Sequence, residues 1–229
     1  MTKTAILTAA GRGIGAGIAR RLADDGYTVG LLGRSEAVEV LAGELGGFAV
    51  RGDVTSAADL EGFVAEARRR TGRIDVVVAN TGHAPKKPLL ELTDADWHQG
   101  LDILLLPAVR LARAAAPDLI ASKGAFIAIS SYVAQRPDPT FVLSSALRGA
   151  LGNFVRMLSR DWAAHGVSAN AIAPGFVDSL PVQPERLARI PASRYGQVAE
   201  VAALAAFLAA PEARYVTGQT LGIDGALGA

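Results

Sequence analysis

The chain has 229 residues, of which 50% are hydrophobic and 20% charged, and its formal net charge is +1 at pH 7. This length suits one α/β domain or two very small ones, with a sizeable core. The near-neutral charge favours neither a nucleic acid nor an anionic membrane as a partner. Cysteine is absent, which excludes disulfides, thiolate metal sites and a cysteine nucleophile.

Histidine spacing and hydropathy exclude further classes. The three histidines, His83, His98 and His165, lie far apart without H-x-x-x-H spacing, so no metal site is expected. The N-terminus leads directly into an apolar strand with no signal-like segment. No uncharged apolar run approaches the ~18 residues of a membrane span. We therefore expect a cytoplasmic protein.

Short apolar runs alternate along the chain with longer helical patterns. These runs predict strands at 4–8, 28–32, 47–50, 74–79, 124–130, 167–173 and 220–224. Each run is continuously apolar rather than alternating, which is typical of parallel strands buried on both faces.

The helical segments between the strands have recognisable starts. "SAAD" (56–59) and "TDAD" (93–96) both match the capping-box pattern. The helix after Ser144 repeats apolar residues at spacings of three and four. Strand–helix alternation with short links predicts a single domain over 1–229, a Rossmann-type doubly wound parallel sheet with helices on both faces. Ligands bind such sheets beyond the carboxyl ends of the strands, where the strand order reverses.

The first loop is rich in glycine. The stretch "TAAGRGIGAGIARRLADDG" follows the first strand directly and opens a helix, and it contains Gly11, Gly13, Gly15 and Gly17. Glycines let the backbone approach a ligand, and the helix N-terminus attracts a pyrophosphate. The pattern predicts a dinucleotide site, although tight strand–helix packing alone would also use glycines here.

Residues at the end of the second strand indicate which dinucleotide the site prefers. NAD sites usually have a carboxylate there for the ribose hydroxyls, whereas an arginine accommodates a 2′-phosphate. This chain has Gly33 and Arg34 at that point, with Arg12 in the glycine loop. The two cations favour NADP(H) over NAD(H); the alternative is that both arginines are merely solvated.

Six motifs taken together resemble the short-chain dehydrogenase/reductase family. They are the glycine loop, "GDVTSAADL" (52–60), "VVVANTG" (76–82), "FIAISS" (126–131), "AIAPGFVDS" (171–179) and "RYVTGQTLGIDG" (214–225). The resemblance implies a Rossmann-type homotetramer or dimer that moves a hydride between nicotinamide and the carbonyl or alcohol of a small-molecule substrate.

The resemblance also implies a set of cofactor contacts. The pyrophosphate would lie along Gly11, Arg12, Gly13, Ile14 and Gly15, the adenine at Asp53 and Val54, the ribose between Asn80 and Gly82, and the nicotinamide at Pro174, Gly175 and Val177, with Ser179 at the carboxamide or phosphate. Ala9 replaces the first glycine of the family's TGxxxGxG motif, and "ANTG" departs from its NNAG motif at two positions.

The catalytic positions depart further from the family, whose members use Ser, Tyr and Lys with an Asn from the preceding long helix. Ser131 matches the serine, but Ser144 falls at the tyrosine position, Arg148 at the lysine position and Leu104 at the asparagine position. The chain is similar to a divergent branch of reductases with L-S-x-x-x-R there. A serine is a far weaker acid than a phenol, and an arginine stays protonated, so neither replaces the usual proton relay.

Three functions remain open. The first is a divergent NADP(H)-dependent oxidoreductase in which Ser131, Ser144 and Arg148 orient a carbonyl oxygen, with Tyr132 or His83 as possible substitute acids. The second is a catalytically degenerate NADP(H)-binding regulatory or partner subunit. The third is a redox-neutral lyase similar to halohydrin dehalogenases, although those retain the tyrosine. The short, proline-containing segment 178–196 stands where the family covers its substrate.

Overall fold

A computed structural model describes residues 2–228, so the expected domain range of 1–229 includes two residues, Met1 and Ala229, outside the described part. The strands are β1 (Thr4–Thr8), β2 (Thr28–Gly33), β3 (Phe48–Arg51), β4 (Val76–Ala79), β5 (Ala125–Ile129), β6 (Ser168–Pro174) and β7 (Thr220–Ile223). They form a 7-stranded sheet in the order β3-β2-β1-β4-β5-β6-β7, and every neighbouring pair is parallel. The predicted α/β fold is confirmed.

Helices cover both faces of the sheet. They are α1 (Gly13–Asp24), α2 (Ala37–Glu44), α3 (Ala57–Thr71), α4 (Asp94–Leu104), α5 (Leu106–Ser122), α6 (Val142–Trp162), α7 (Pro184–Leu187) and α8 (Val198–Ala209). Ile18 of α1 and Val201 of α8 are buried against one face, and Phe63 of α3, Leu111 of α5 and Val155 of α6 against the other. Among residues 2–228, no helix has the length and apolar character needed to cross a bilayer.

The two predicted capping boxes differ in the structure. At α4, Thr93 and Asp96 form the complete reciprocal box. At α3, the Ser56 side chain accepts from the Asp59 N–H at 3.2 Å, but the Asp59 carboxylate accepts from the Asp53 N–H at 2.7 Å instead of returning to Ser56. The prediction at α3 was therefore only half right, because Asp59 is used to fix the loop after β3.

The strand order reverses between β1 and β4, which places the expected crevice at their carboxyl ends. Two hydrogen bonds join these ends. The Thr8 hydroxyl donates to the Asn80 carbonyl at 2.7 Å and accepts from the Asn80 N–H at 3.1 Å. The loops that carry the predicted site residues therefore begin from a rigid pair of strand ends.

Candidate active site

The turn between β1 and α1 has the geometry of an anion site. Gly13 has φ +56°, in the left-handed region that favours glycine. Arg12 precedes α1 without capping it, so no side chain accepts from the first N–H groups of the helix. A Cβ at Gly15 would lie 2.5 Å from the Ala9 carbonyl oxygen, so only glycine fits there. Free N–H groups on a close-packed turn fit a pyrophosphate.

Two of the four glycines are explained by packing. A Cβ at Gly17 would lie 2.1 Å from Cγ1 of Val198, because α1 crosses α8 at that point. A Cβ at Gly11 would lie 3.3 Å from Cβ of Ala37, at the start of α2. The glycine pattern therefore serves helix packing as well as ligand approach.

Ala9 occupies the position at which the family has glycine, and its backbone explains that preference. Its φ is +47°, a left-handed conformation that costs a residue with a Cβ roughly 1–2 kcal/mol. The Ala9 carbonyl accepts from Nδ2 of Asn80 at 3.1 Å. The Asn80 amide, expected to flank a ribose, thus holds the turn after β1 from a buried position.

The structure brings a carboxylate close to Arg34, at the end of β2. Arg34 follows β2 with its side chain 81% exposed, and its Nη1 lies 3.8 Å from Oδ2 of Asp53. The sequence shows no carboxylate at the end of β2, but the fold brings one from the loop after β3. The N–H of Thr55 and, to a smaller degree, the Arg34 charge lower the pKa of Asp53. The Asp53 carboxylate and the exposed Arg34 therefore stand together at this edge, while Val54 packs partly buried against the core. Arg12 is also exposed, and its charge acts on His83.

Residues beyond β6 close the other side of the crevice. Pro174 ends β6 and is buried, and a Cβ at Gly175 would lie 2.9 Å from Cα of Asp224. Val177 is buried and forms a parallel bridge with Gly196. Ser179 is exposed, and its Cβ lies 3.3 Å from the position of a Cβ on Gly13. Ser179 and Gly13, which are far apart in the sequence, therefore meet across the crevice, and Ile14, next to Gly13, is half-buried.

Arg148 is buried within backbone carbonyls. Its Nη1 donates to the carbonyls of Ile129 at 2.7 Å and Ser130 at 3.0 Å, and its Nη2 donates to the Gly82 carbonyl at 3.3 Å. Complete burial lowers the pKa of Arg148 to about 10, which leaves it charged at neutral pH. The side chain joins the ends of β4 and β5, so three of its five N–H groups are already used.

The candidate catalytic residues lie after the carboxyl end of β5 and on the first turns of α6. Ser131 follows the carbonyl that Arg148 contacts, and Ser144 lies one helical turn before Arg148 on α6. Both serines are half-buried. The sequence interpretation missed Ser130, whose buried hydroxyl has no hydrogen-bond partner among the described residues. Only its position in "AISSY" could have pointed to it.

Neither substitute acid is suited to donating a proton at neutral pH. The Tyr132 phenol donates to Asp138 at 3.1 Å, and burial followed by the Asp138 charge raises its pKa to about 12. His83 keeps an accessible face, but partial desolvation and then the nearby cations, Arg148 first, lower its pKa. Leu104 is buried in an apolar cluster with Ala84 and continues no relay.

A family model described as enoyl-(acyl carrier protein) reductase matches residues 8–227. The 3-oxoacyl-[acyl-carrier-protein] reductase FabG of Staphylococcus aureus is 32% identical over 99% of this chain and 98% of its own. A blue fluorescent protein from a metagenomic library, solved with NADPH, is 33% identical with a TM-score of 0.92, covering 99% of this chain and 98% of its own. A gluconate 5-dehydrogenase from Burkholderia cenocepacia, solved with NADP and tartrate, is 32% identical with a TM-score of 0.91 over 98% and 94%.

Proposed function

Because the chain belongs to the short-chain dehydrogenase/reductase family, we propose that it is an NADP(H)-dependent oxidoreductase of a carbonyl or alcohol substrate with altered catalytic residues. The observation that carries this proposal is the uncapped glycine turn at the point where the strand order reverses. The left-handed Gly13 and the N–H groups that no side chain caps are the features of that turn which would accept a pyrophosphate, whereas Gly15 is required by its contact with the Ala9 carbonyl.

The residues around the crevice fit a phosphorylated dinucleotide. Gly11, Arg12, Gly13, Ile14 and Gly15 hold the pyrophosphate, Asp53 and Val54 the adenine, Asn80 and Gly82 the ribose region, and Pro174, Gly175, Val177 and Ser179 the nicotinamide end. Arg34 and Arg12 favour a 2′-phosphate. NADPH and NADP in the two similar structures support this preference. When bound, the nicotinamide supplies or accepts the hydride.

The chemistry left to the protein is orientation and charge stabilisation. The Ser131 and Ser144 hydroxyls donate hydrogen bonds to the substrate oxygen, and the fixed charge of Arg148 stabilises negative charge developing there. Water provides the proton, because a serine hydroxyl and a guanidinium hold theirs at neutral pH. Losing a positioned general acid typically costs about 10²–10⁴ in rate. We therefore expect slow turnover of ordinary ketones.

Segment 178–196 forms the substrate lid in this proposal. Its ends are joined by the Val177–Gly196 bridge and by a 2.9 Å hydrogen bond from the Asp178 N–H to the Gly196 carbonyl. Arg189, within the segment, pairs with Asp138 in the loop before α6. These contacts tie the segment to the loop that leads into α6, which supports its role as a lid.

A second candidate function, an NADP(H)-binding regulatory or partner subunit, is favoured by one observation. The Arg148 guanidinium already donates hydrogen bonds to three backbone carbonyls, those of Ile129, Ser130 and Gly82. The Tyr132 phenol, next to Ser131 in the sequence, donates to Asp138. Oxidation of NADPH over a panel of aldehydes and ketones separates the two functions. Slow, substrate-dependent oxidation supports the enzyme, and stoichiometric binding without turnover supports the regulatory subunit.

We also propose a homotetramer or dimer, as the family resemblance implies. The alanine-rich residues 108–117 do not argue for it, since Ala108, Leu111, Ala112 and Ala115 pack inside the chain. Light scattering on the purified protein tests this directly, and a monomeric mass would refute it.

A further inference from the structure

Two cations stand at the mouth of the proposed substrate site on an aromatic surface. Nζ of Lys86, in the loop after β4, lies 4.5 Å from the ring centre of Phe141. The Arg186 guanidinium, on α7, lies 5.1 Å from the ring centre of Phe176. Both rings belong to one cluster of packed side chains, which also contains Tyr132, Ile190 and Tyr195. Two loops far apart in the sequence therefore bring positive charge to the same surface.

This surface adjoins the candidate catalytic residues. Phe141 directly precedes α6 and lies three residues before Ser144. Phe176 lies two residues after Pro174, the end of β6. Lys86 also lines an open surface cavity of about 410 Å³ with Lys87, Pro88, Pro139 and Thr140.

The two cations differ from their neighbours in having no counter-ion. Lys87, adjacent to Lys86, pairs with Asp96 at 2.7 Å. Arg189 pairs with Asp138, and Arg194 pairs with Glu200 at 2.7 Å. Within residues 2–228, neither Lys86 nor Arg186 forms an ion pair. The three neighbouring cations are therefore paired with carboxylates, whereas the two that lie over the aromatic rings are not.

The surrounding groups respond to this positive charge. Desolvation and then the charge of Arg186 lower the pKa of Lys86. The pKa of His83 is lowered by desolvation and then by four cations, among them Lys86 and Arg186. Like charges held together without a carboxylate repel each other, and an anion bound between them would relieve that repulsion.

We propose that Lys86 and Arg186 form an anion-binding subsite, so that the substrate of the proposed reaction carries a carboxylate or phosphate group beside its carbonyl or alcohol. The inference rests on the proposed function. The anionic group lies between the two cations, the carbon skeleton lies on the rings of Phe141 and Phe176, and the reacting oxygen points towards Ser131 and Ser144. A neutral ketone of the same size has the aromatic contact but lacks the ionic one.

Two pairs of probes that differ only in charge test the subsite. Acetoacetate is compared with methyl acetoacetate, and dihydroxyacetone phosphate with dihydroxyacetone, by calorimetric titration with and without saturating NADPH. Charge-assisted hydrogen bonds of this kind contribute about tenfold or more to affinity. We expect at least one charged probe to bind about tenfold more tightly than its neutral partner; the charged probe that does so identifies carboxylate or phosphate.

Lys86→Gln and Arg186→Gln should each remove most of that preference and leave the neutral probes unchanged. Arg20→Gln and Arg194→Gln are the controls, because their cations are paired with Glu44 and Glu200 and neither lines that cavity, and both should keep the preference. Equal affinity for charged and neutral probes, no binding of either charged probe, or equal losses in the variants and controls would overturn the subsite. Failure of NADPH to bind would instead overturn the proposed function, since the titrations without cofactor report on the subsite separately.

Discussion

Oη of Tyr132 lies 3.1 Å from Oδ2 of Asp138, and the same carboxylate pairs with Arg189. Asp138 also accepts from the Thr140 N–H at 2.8 Å, just before α6. One buried carboxylate therefore connects the loop after β5, the start of α6 and segment 178–196. It also withdraws the phenol that lies closest in sequence to Ser131 from any role as a general acid.

The first prediction concerns the pH dependence of this carboxylate. Burial alone would raise the pKa of Asp138, but the hydrogen bonds from Arg189 and Thr140 outweigh it and lower the pKa from 3.8 to about 2. A depressed carboxyl pKa stabilises the fold above the unfolded pKa, and this stabilisation is lost as the pH falls towards 2. Asp138→Asn should lower the free energy of unfolding near neutral pH by on the order of 1–2 kcal/mol.

Urea unfolding measured from neutral pH downwards tests this. The difference between the wild type and Asp138→Asn should shrink below about pH 4. When Arg189→Gln is also present, the difference in the free energy of unfolding should disappear at a higher pH, because the variant lacks the strongest group that lowers the Asp138 pKa. A difference independent of pH would mean that the carboxylate charge contributes nothing.

The second prediction restores the missing acid. Replacing Ser144→Tyr together with Arg148→Lys puts a phenol one helical turn from an amine, which can lower the phenol pKa. Reduction of an aromatic ketone by NADPH should rise by about 10²–10⁴ relative to the wild type. Ser144→Phe with Arg148→Lys is the matched control, having the ring without the hydroxyl. Equal rates in the two double variants would show that the cleft does not present a carbonyl to this turn of α6.

The third prediction separates packing glycines from cofactor glycines. Gly17→Ala would put a Cβ 2.1 Å from Cγ1 of Val198 and should cost about 1–3 kcal/mol of stability through overpacking. Adding Val198→Ala removes the clash and should recover most of that loss in urea unfolding. NADPH affinity should stay the same in the folded variants. A loss of NADPH affinity without a loss of stability would place Gly17 at the ligand instead.

The fourth prediction addresses the 2′-phosphate. Arg34 has an exposed side chain only 3.8 Å from Asp53. Arg34→Ala should weaken NADPH binding by about 10-fold or more, the contribution of a charged hydrogen bond, and should leave NADH nearly unaffected. Arg51→Ala, whose guanidinium pairs with Glu39 at 2.8 Å, is the nearby control. Equal losses of NADPH and NADH affinity at Arg34 would refute the assignment.

The sheet was predictable because its strands are continuous apolar runs. The seven predicted strands agree with the structure within two residues at each end. The expected burial on both faces is confirmed for the five inner strands, but it is wrong for β3 and β7, which are partly exposed because each lies at an edge of the sheet. Local capping was predictable where the partner was also local, as for Thr93 and Asp96. It failed in part for Asp59, whose carboxylate bonds to the N–H of Asp53.

Long-range contacts of polar groups were not predictable. The sequence places Arg148 one turn after Ser144, but only the fold shows that the carbonyls of Ile129, Ser130 and Gly82 converge on its guanidinium. Arg34 and Asp53 approach each other because the loops after β2 and β3 lie side by side. Apolar periodicity does not predict the conformation of such loops. The phosphate turn was easier to identify, because its glycines and the following helix are consecutive in the chain.

The central claim is that the chain binds a phosphorylated nicotinamide dinucleotide while lacking the usual proton donor beside it. Parallel calorimetric titrations of the wild-type protein with NADPH and NADH test this most directly. We predict one NADPH per chain, bound at least ten times more tightly than NADH, as about one charged hydrogen bond to the 2′-phosphate would provide. If neither NADPH nor NADH gives a heat of binding, and neither displaces the other, the account is contradicted.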